Sequence, residues 1–192
     1  MGWDWSLFRL ANDLAGKSAV LDTIIRLFMN DYGCTTMLVL LVFGLWFSGH
    51  TEAERERNQR GVLSTVAALA MANLVVKAIN LVYWRWRPFT YHEVTLLFYH
   101  PSDSSFPSNA ATVGFCLAAS VLFFNRKAGL ALLVIASLFS LSRVIGGVHY
   151  PTDILGGLVI GSLAAWIANR RAPWLNKIWT PIIRRMRRLV LA

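Results

Sequence analysis

Arginine, histidine, aspartate and serine gather near two turns of this 192-residue chain, and together they can handle a phosphate ester. The densest group is Ser142-Arg143, then His149, then Asp153. Asp153 follows His149 by four residues, and Pro151 between them suits the first turn of a helix. A carboxylate placed there can accept the Nδ1 proton of the imidazole, leaving Nε2 free as a nucleophile. Arg143 ends the preceding apolar segment and can return to the same point, where Gly146 and Gly147 permit a tight turn. Its guanidinium would grip a phosphate with a fork of donors.

A second group, Phe106-Pro107-Ser108-Asn109-Ala110-Ala111-Thr112, opens another apolar segment. The free N–H groups and dipole of a helix starting there form an anion site, with Ser108 and Asn109 as ligands. The third group is Arg87-Pro88, with Arg85 two residues earlier. Two arginines, a helix N-terminus and a His–Asp pair describe phosphoryl transfer without metal. His92 and His100 stand too isolated to suggest zinc, and no cofactor is expected.

The elements that must position these groups are membrane helices. The chain is 56% hydrophobic and 15% charged, with mean hydropathy +0.49, too little charge to cover a soluble domain. Apolar spans are expected at 32–48, 62–84, 107–124, 128–147 and 152–168. They predict an all-α integral membrane protein, one domain over 1–192, with a bundle of five to six transmembrane helices. Residues 3–14 are too short to span and read as an interfacial helix, and 18–30 as an amphipathic one able to run on into the first span. Residues 49–61 read as a polar loop. The long loop 85–106 is of a length that usually carries function. Asp4 and Asp13 interrupt the N-terminal segment, so no cleavable signal peptide is expected. Cys34 and Cys116 lie in apolar segments and read as packing residues.

A net charge of +9 is compatible with nucleic acid, but its distribution points to a membrane surface instead. Arg170, Arg171, Lys177, Arg184, Arg185, Arg187 and Arg188 crowd a tail over 170–192 that suits anionic lipid on the cytoplasmic side. Arg55, Arg57, Arg60, Arg126 and Lys127 fall on the same side by chain order. The loop at 85–106 and the turn at 147–151 then open on the extracytoplasmic face. A buried charge at a helix end implies function by default, and the alternative of snorkelling at the interface suits Arg85 or Arg87 alone.

At this point the three groups resemble the signature of the type-2 phosphatidic acid phosphatase superfamily: K-x6-R-P, P-S-G-H and S-R-x5-H-x3-D. The third motif fits at every fixed position, and the resemblance covers about residues 60–170. Within the family the chain looks most similar to small bacterial undecaprenyl-diphosphate phosphatases. The resemblance implies that His149 attacks phosphorus to form a phosphohistidine while Asp153 holds it. Arg87, Arg143, Ser108 and the Asn109 backbone would then stabilise the phosphate. It also implies hydrolysis of undecaprenyl diphosphate to undecaprenyl phosphate and inorganic phosphate at a bacterial inner membrane, as in peptidoglycan biogenesis and bacitracin resistance. Phosphatidylglycerophosphate, phosphatidate, or a non-catalytic role in binding or transporting lipid phosphate are the alternatives. The partners are thus a lipid phosphate and membrane lipids, with oligomeric state open.

Two positions depart from the pattern. Ala110 stands where the family has its general-acid histidine, and alanine has no proton to give. Low activity or none is therefore expected, and the intact surroundings favour a deliberate substitution over natural loss. The family's lysine position is Asn80; nine residues rather than six separate Lys77 from Arg87. Three residues on a helix place it about 4.5 Å deeper and about 60° round the axis. Lys77 is either a displaced phosphate ligand or a lysine satisfied inside the bundle, and Arg85 is the other candidate for the missing charge.

Overall fold

The computed structural model describes residues 2–172 and 174–188, and every regular element among them is helical. The N-terminal helix α1 (Gly2–Asn12) turns Asp4, Phe8 and Asn12 inward. Its opposite stripe, Trp3, Leu7 and Leu10, stays exposed. An amphipathic helix with its apolar side outward has the character of an interfacial helix.

Next come α2 (Ala19–Met29) and α3 (Asp31–Trp46), which meet at a bend of 58° rather than as one continuous helix. Asn30 causes the break: its backbone is extended, and its side chain accepts from Gly33 N–H to cap α3. The polar stretch 49–61 is not a loop beyond its first residues. Helix α4 (Glu52–Val82) starts at its second turn, capped by Thr51, with Arg60 and Glu56 paired at 2.6 Å. Glutamate and arginine are good helix formers, and their four-residue spacing supports a helix in water as well as a loop would.

A single turn, α5 (Pro88–Tyr91), interrupts the long loop. Then follow α6 (Asn109–Leu122), α7 (Arg126–Ile145) and α8 (Pro151–Trp166), whose last residues widen into a π-helical turn over Ile167–Arg171. The tail forms helix α9 (Leu175–Arg188), which packs on α4 and donates from Trp179 Nε1 to Ser64 Oγ at 3.2 Å. Of the basic tail, residues 189–192 and the side chains of Arg187 and Arg188 lie outside the described residues.

By length and composition α4, α7 and α8 with its π-helical end can each cross a membrane, and the bent α2–α3 pair makes up to four. That is fewer than the five to six expected. The shortfall is α6, whose 14 residues cannot span alone. It need not, because α3, α4, α7 and α8 enclose it and most of its side chains are buried. The outward faces of α4, α7 and α8 expose Leu74, Leu81, Val134, Leu141, Val159 and Leu163, a lipid-facing surface.

Small residues set the site's spacing. A methyl at Gly157 would come within 2.8 Å of Ser108 O and Thr112 N, and one at Gly161 within 2.5 Å of Thr112 O. Glycines four apart thus let α8 lie against the backbone of α6. The two helix N-termini end up side by side, with Ser108 N–H donating to Asp153 O at 3.1 Å. Arg55, Arg57, Arg60, Arg126 and Lys127 sit at the opposite end, where Gly61 touches Phe124.

Candidate active site

His149 lies in the turn before α8 and is 2% exposed. Its Nδ1 faces the Ser105 carbonyl at 2.9 Å, while the nearer Asp153 oxygen stands 3.6 Å away. The expected direct bond from imidazole to Asp153 is therefore replaced. The backbone of Ser105 takes the Nδ1 proton, and Ser105 Oγ donates to Asp153 Oδ2 at 2.5 Å. Asp153 also accepts from Tyr150 N–H at 2.8 Å, so it caps its own helix while backing the histidine. With Nδ1 protonated toward a carbonyl, Nε2 carries the lone pair.

That nitrogen faces Arg87 Nη1 at 3.2 Å. Arg87 is buried and held three more ways: Nη1 donates to Val148 O at 3.0 Å, Nε to Asp103 O at 3.1 Å, and Nη2 pairs with Asp103 Oδ1 at 2.8 Å. Burial, with the charges of Arg87 and Arg143, holds the His149 imidazole below the usual histidine range despite the pull of Asp153. It is thus the neutral form, the one able to attack, that occupies the site near neutral pH.

Arg143 reaches the same region from the last turn of α7. Its carbonyl accepts from the N–H groups of Val148 and His149. Its guanidinium pairs with Asp31 at 2.7 Å, donates to Met29 O at 3.0 Å and lies over the Phe98 ring, leaving Nε without a partner among the described residues. Ser108 caps α6, buried, and accepts weakly from Ala111 N–H. The N–H groups of Asn109 and Ala110 have no intrahelical acceptor, as at the start of every helix. Asn109 is exposed and Ala110 buried.

Two expected ligands are placed otherwise. Lys77 is exposed on α4 and walls neither cavity beside the site, because three residues of offset turn it outward toward lipid. Arg85 is no free phosphate ligand: its two terminal nitrogens are taken by Asp153 Oδ1 and Asp4 Oδ2, each at 2.6 Å. His92 stacks on Trp5 and His100 packs edgewise on Phe89, both exposed at the rim with Glu93.

Sequence reasoning missed Asp4, Ser105 and Thr152. Thr152 accepts from Arg85 Nη1 at 2.6 Å and donates to Asp4 at 2.7 Å. The signal available was a lone acid at position 4 on an amphipathic helix, a charge with no visible reason to be there. The loop that carries Ser105 is closed at its base: Ser105 N–H donates to Arg85 O and Arg85 N–H to Ser104 Oγ. Cavities of about 440 Å³ and 490 Å³ flank Arg85, one walled by Trp5, Trp84 and Trp86, the other by Trp3, Ile79 and Phe106.

These features define an all-helical membrane protein whose buried histidine sits between two helix N-termini, with three arginines around it. The family model of the PAP2 superfamily matches residues 61–177, and the chain belongs to that superfamily, a family of phosphoric ester hydrolases. It is 30% identical over 182 residues to the undecaprenyl-diphosphatase BcrC of Bacillus subtilis, covering 94% of this chain and 90% of that protein. It is 31% identical over 175 residues to the bacitracin transport permease protein BcrC of Bacillus licheniformis, covering 89% and 81%. The crystal structure of Aquifex aeolicus LpxE shares the fold at a TM-score of 0.65 and 23% identity, covering 85% of this chain and 93% of that one.

Proposed function

We propose that the chain is a polyprenyl-diphosphate phosphatase acting on undecaprenyl diphosphate from the extracytoplasmic side of a bacterial inner membrane. The carrying observation is His149, neutral and buried, with Nδ1 satisfied by Ser105 O and Nε2 turned to Arg87. In the first step Nε2 bonds to the terminal phosphorus as the bond to the bridging oxygen breaks, and undecaprenyl phosphate leaves. Water then cleaves the N–P bond, releasing inorganic phosphate and the free imidazole. Arg87, Arg143 and the N–H groups at the start of α6 share the developing negative charge.

The acids already on two of these arginines support the reading. Asp103 on Arg87 is 54% exposed and Asp31 on Arg143 is 30% exposed, so an incoming phosphate can take their places. Ala110 leaves the departing oxygen without a donor, and turnover in this chain is low for that reason. The names of the undecaprenyl-diphosphatase relatives support the choice of substrate.

The test is phosphate release from undecaprenyl diphosphate and from a lipid monophosphate, by the chain and by its Ala110→His and His149→Ala variants. Ala110→His raises turnover by about 10²–10⁴, and His149→Ala abolishes it. The gain is smaller on the diphosphate, whose leaving group is a phosphate monoester rather than an alkoxide. Undiminished turnover in His149→Ala sinks the phosphohistidine route.

A further inference from the structure

The three arginines around His149 are each paired with an acid from elsewhere in the chain: Arg87 with Asp103, Arg143 with Asp31, and Arg85 with Asp4, besides Asp153. The third pair differs in kind. Asp4 has a side chain only 5% exposed, against 54% for Asp103 and 30% for Asp31. Its Oδ2 meets Arg85 Nη2 at 2.6 Å and accepts from Thr152 Oγ1 at 2.7 Å, while Oδ1 accepts from Thr152 N–H at 3.1 Å. The other terminal nitrogen of Arg85 is 2.6 Å from Asp153 Oδ1. The Tyr150 ring covers the guanidinium 4.2 Å from its carbon. One cation is thus strung between two buried carboxylates, and the second is the one behind His149.

We propose that Asp4 is a positioning residue of the active site, which seats Arg85 and divides its charge so that Asp153 keeps its hold on His149. A guanidinium held by a single carboxylate sets its whole positive charge against that one partner. With two, each partner retains part of its negative charge for other neighbours. Without Asp4, the full charge of Arg85 falls on Asp153. The imidazolium of His149 then loses stabilisation twice over, from a weakened Asp153 and from the missing anion. The other groups facing His149 are Arg87 on the loop side, Arg143 from α7, and the carbonyl and hydroxyl of Ser105. None of them can replace a negative charge lost on the α8 side. The proposal rests on His149 being the attacking group.

The chain has four histidines, so labelling them with carbon-13 and following their ring signals in detergent micelles resolves each titration, with His149→Ala for assignment. Asp4→Asn keeps the size and the acceptor for Thr152 N–H but removes the charge. It lowers the His149 midpoint by about 0.5–1 pH unit, and Asp4→Glu restores most of it. Should the amide variant fail to fold, Asp4→Ser, smaller and uncharged, carries the same expectation. A midpoint unmoved or raised in a folded, uncharged variant overturns the proposal and makes Asp4 a mere anchor of α1. In the Ala110→His background the acid limb of kcat/KM moves with the midpoint, KM staying level. A moved midpoint with a fixed acid limb would instead unseat His149 as nucleophile and leave the role of Asp4 in place.

Discussion

Asp103 holds a place that a phosphate should take, and replacing it with asparagine measures how firmly. In Asp103→Asn the side chain no longer carries a charge onto Arg87 Nη2, 2.8 Å away. The bond from Arg87 Nε to the Asp103 carbonyl survives, because it uses the backbone, so the loop keeps its anchor. A charge-assisted bond contributes about 1.5–3 kcal/mol when dry. With one partner 54% exposed, screening reduces this to about 1 kcal/mol, the upper end for an exposed ion pair. An anion entering the site no longer has to displace that bond, so its affinity rises by about fivefold. The assay is competition by orthovanadate or inorganic phosphate against phosphate release in the Ala110→His background, with calorimetric titration of the anion into the chain itself. The inhibition constant falls, and more steeply at low ionic strength. Unchanged or weaker anion binding would show that phosphate does not meet Arg87 where Asp103 now sits, and the assigned ligand set would fall with it.

Three further outcomes follow from the geometry. His149 is held below its ordinary range of about 6.5, so it stays neutral as pH falls past that value, and the acid limb of kcat/KM in the Ala110→His form lies below pH 6.5. Folding stability has the same sign: the unfolded histidine takes up a proton from about pH 6.5 downward while the folded one does not, so stability present above that pH is lost on acidification toward the folded value, as thermal melts across pH 5–8 would reveal. Gly157→Val pushes side-chain atoms into Ser108 O and Thr112 N, which lie 2.8 Å from a first methyl, costing about 1–3 kcal/mol and lowering Tm; an unchanged Tm would mean α6 and α8 are not tightly packed. Ser102→Cys, at an exposed loop position, is labelled by an impermeant thiol reagent on intact cells, whereas labelling only after lysis would put the site on the cytoplasmic side.

What could be read from sequence was what lies close along the chain. His149 and Asp153 are one helical turn apart, and a helix opened by Pro151 must bring them to the same place whatever surrounds it. Arg87 and Ser108 also start or precede helices, where donors and charges gather. The misreadings share a cause. The stretch 49–61 is polar enough for a loop, yet Glu and Arg spaced by four build a helix equally well, and only Thr51 as its cap decides. Arg85 looked available for phosphate because its partner Asp4 lies 81 residues away, beyond any local pattern. The bond from His149 to Ser105 O could not be seen either, since a backbone carbonyl leaves no mark in residue identity.

The bond between Thr152 and Asp4 joins residues 148 apart, and this sets an order on synthesis. Asp4, on α1, leaves the ribosome before any of its partners. Arg85 follows on the loop after α4, and Thr152 and Asp153 arrive only with α8. Until then the contacts that Thr152 and Asp153 make with Asp4 and Arg85 cannot form. The cluster therefore closes late, when α8 meets α1.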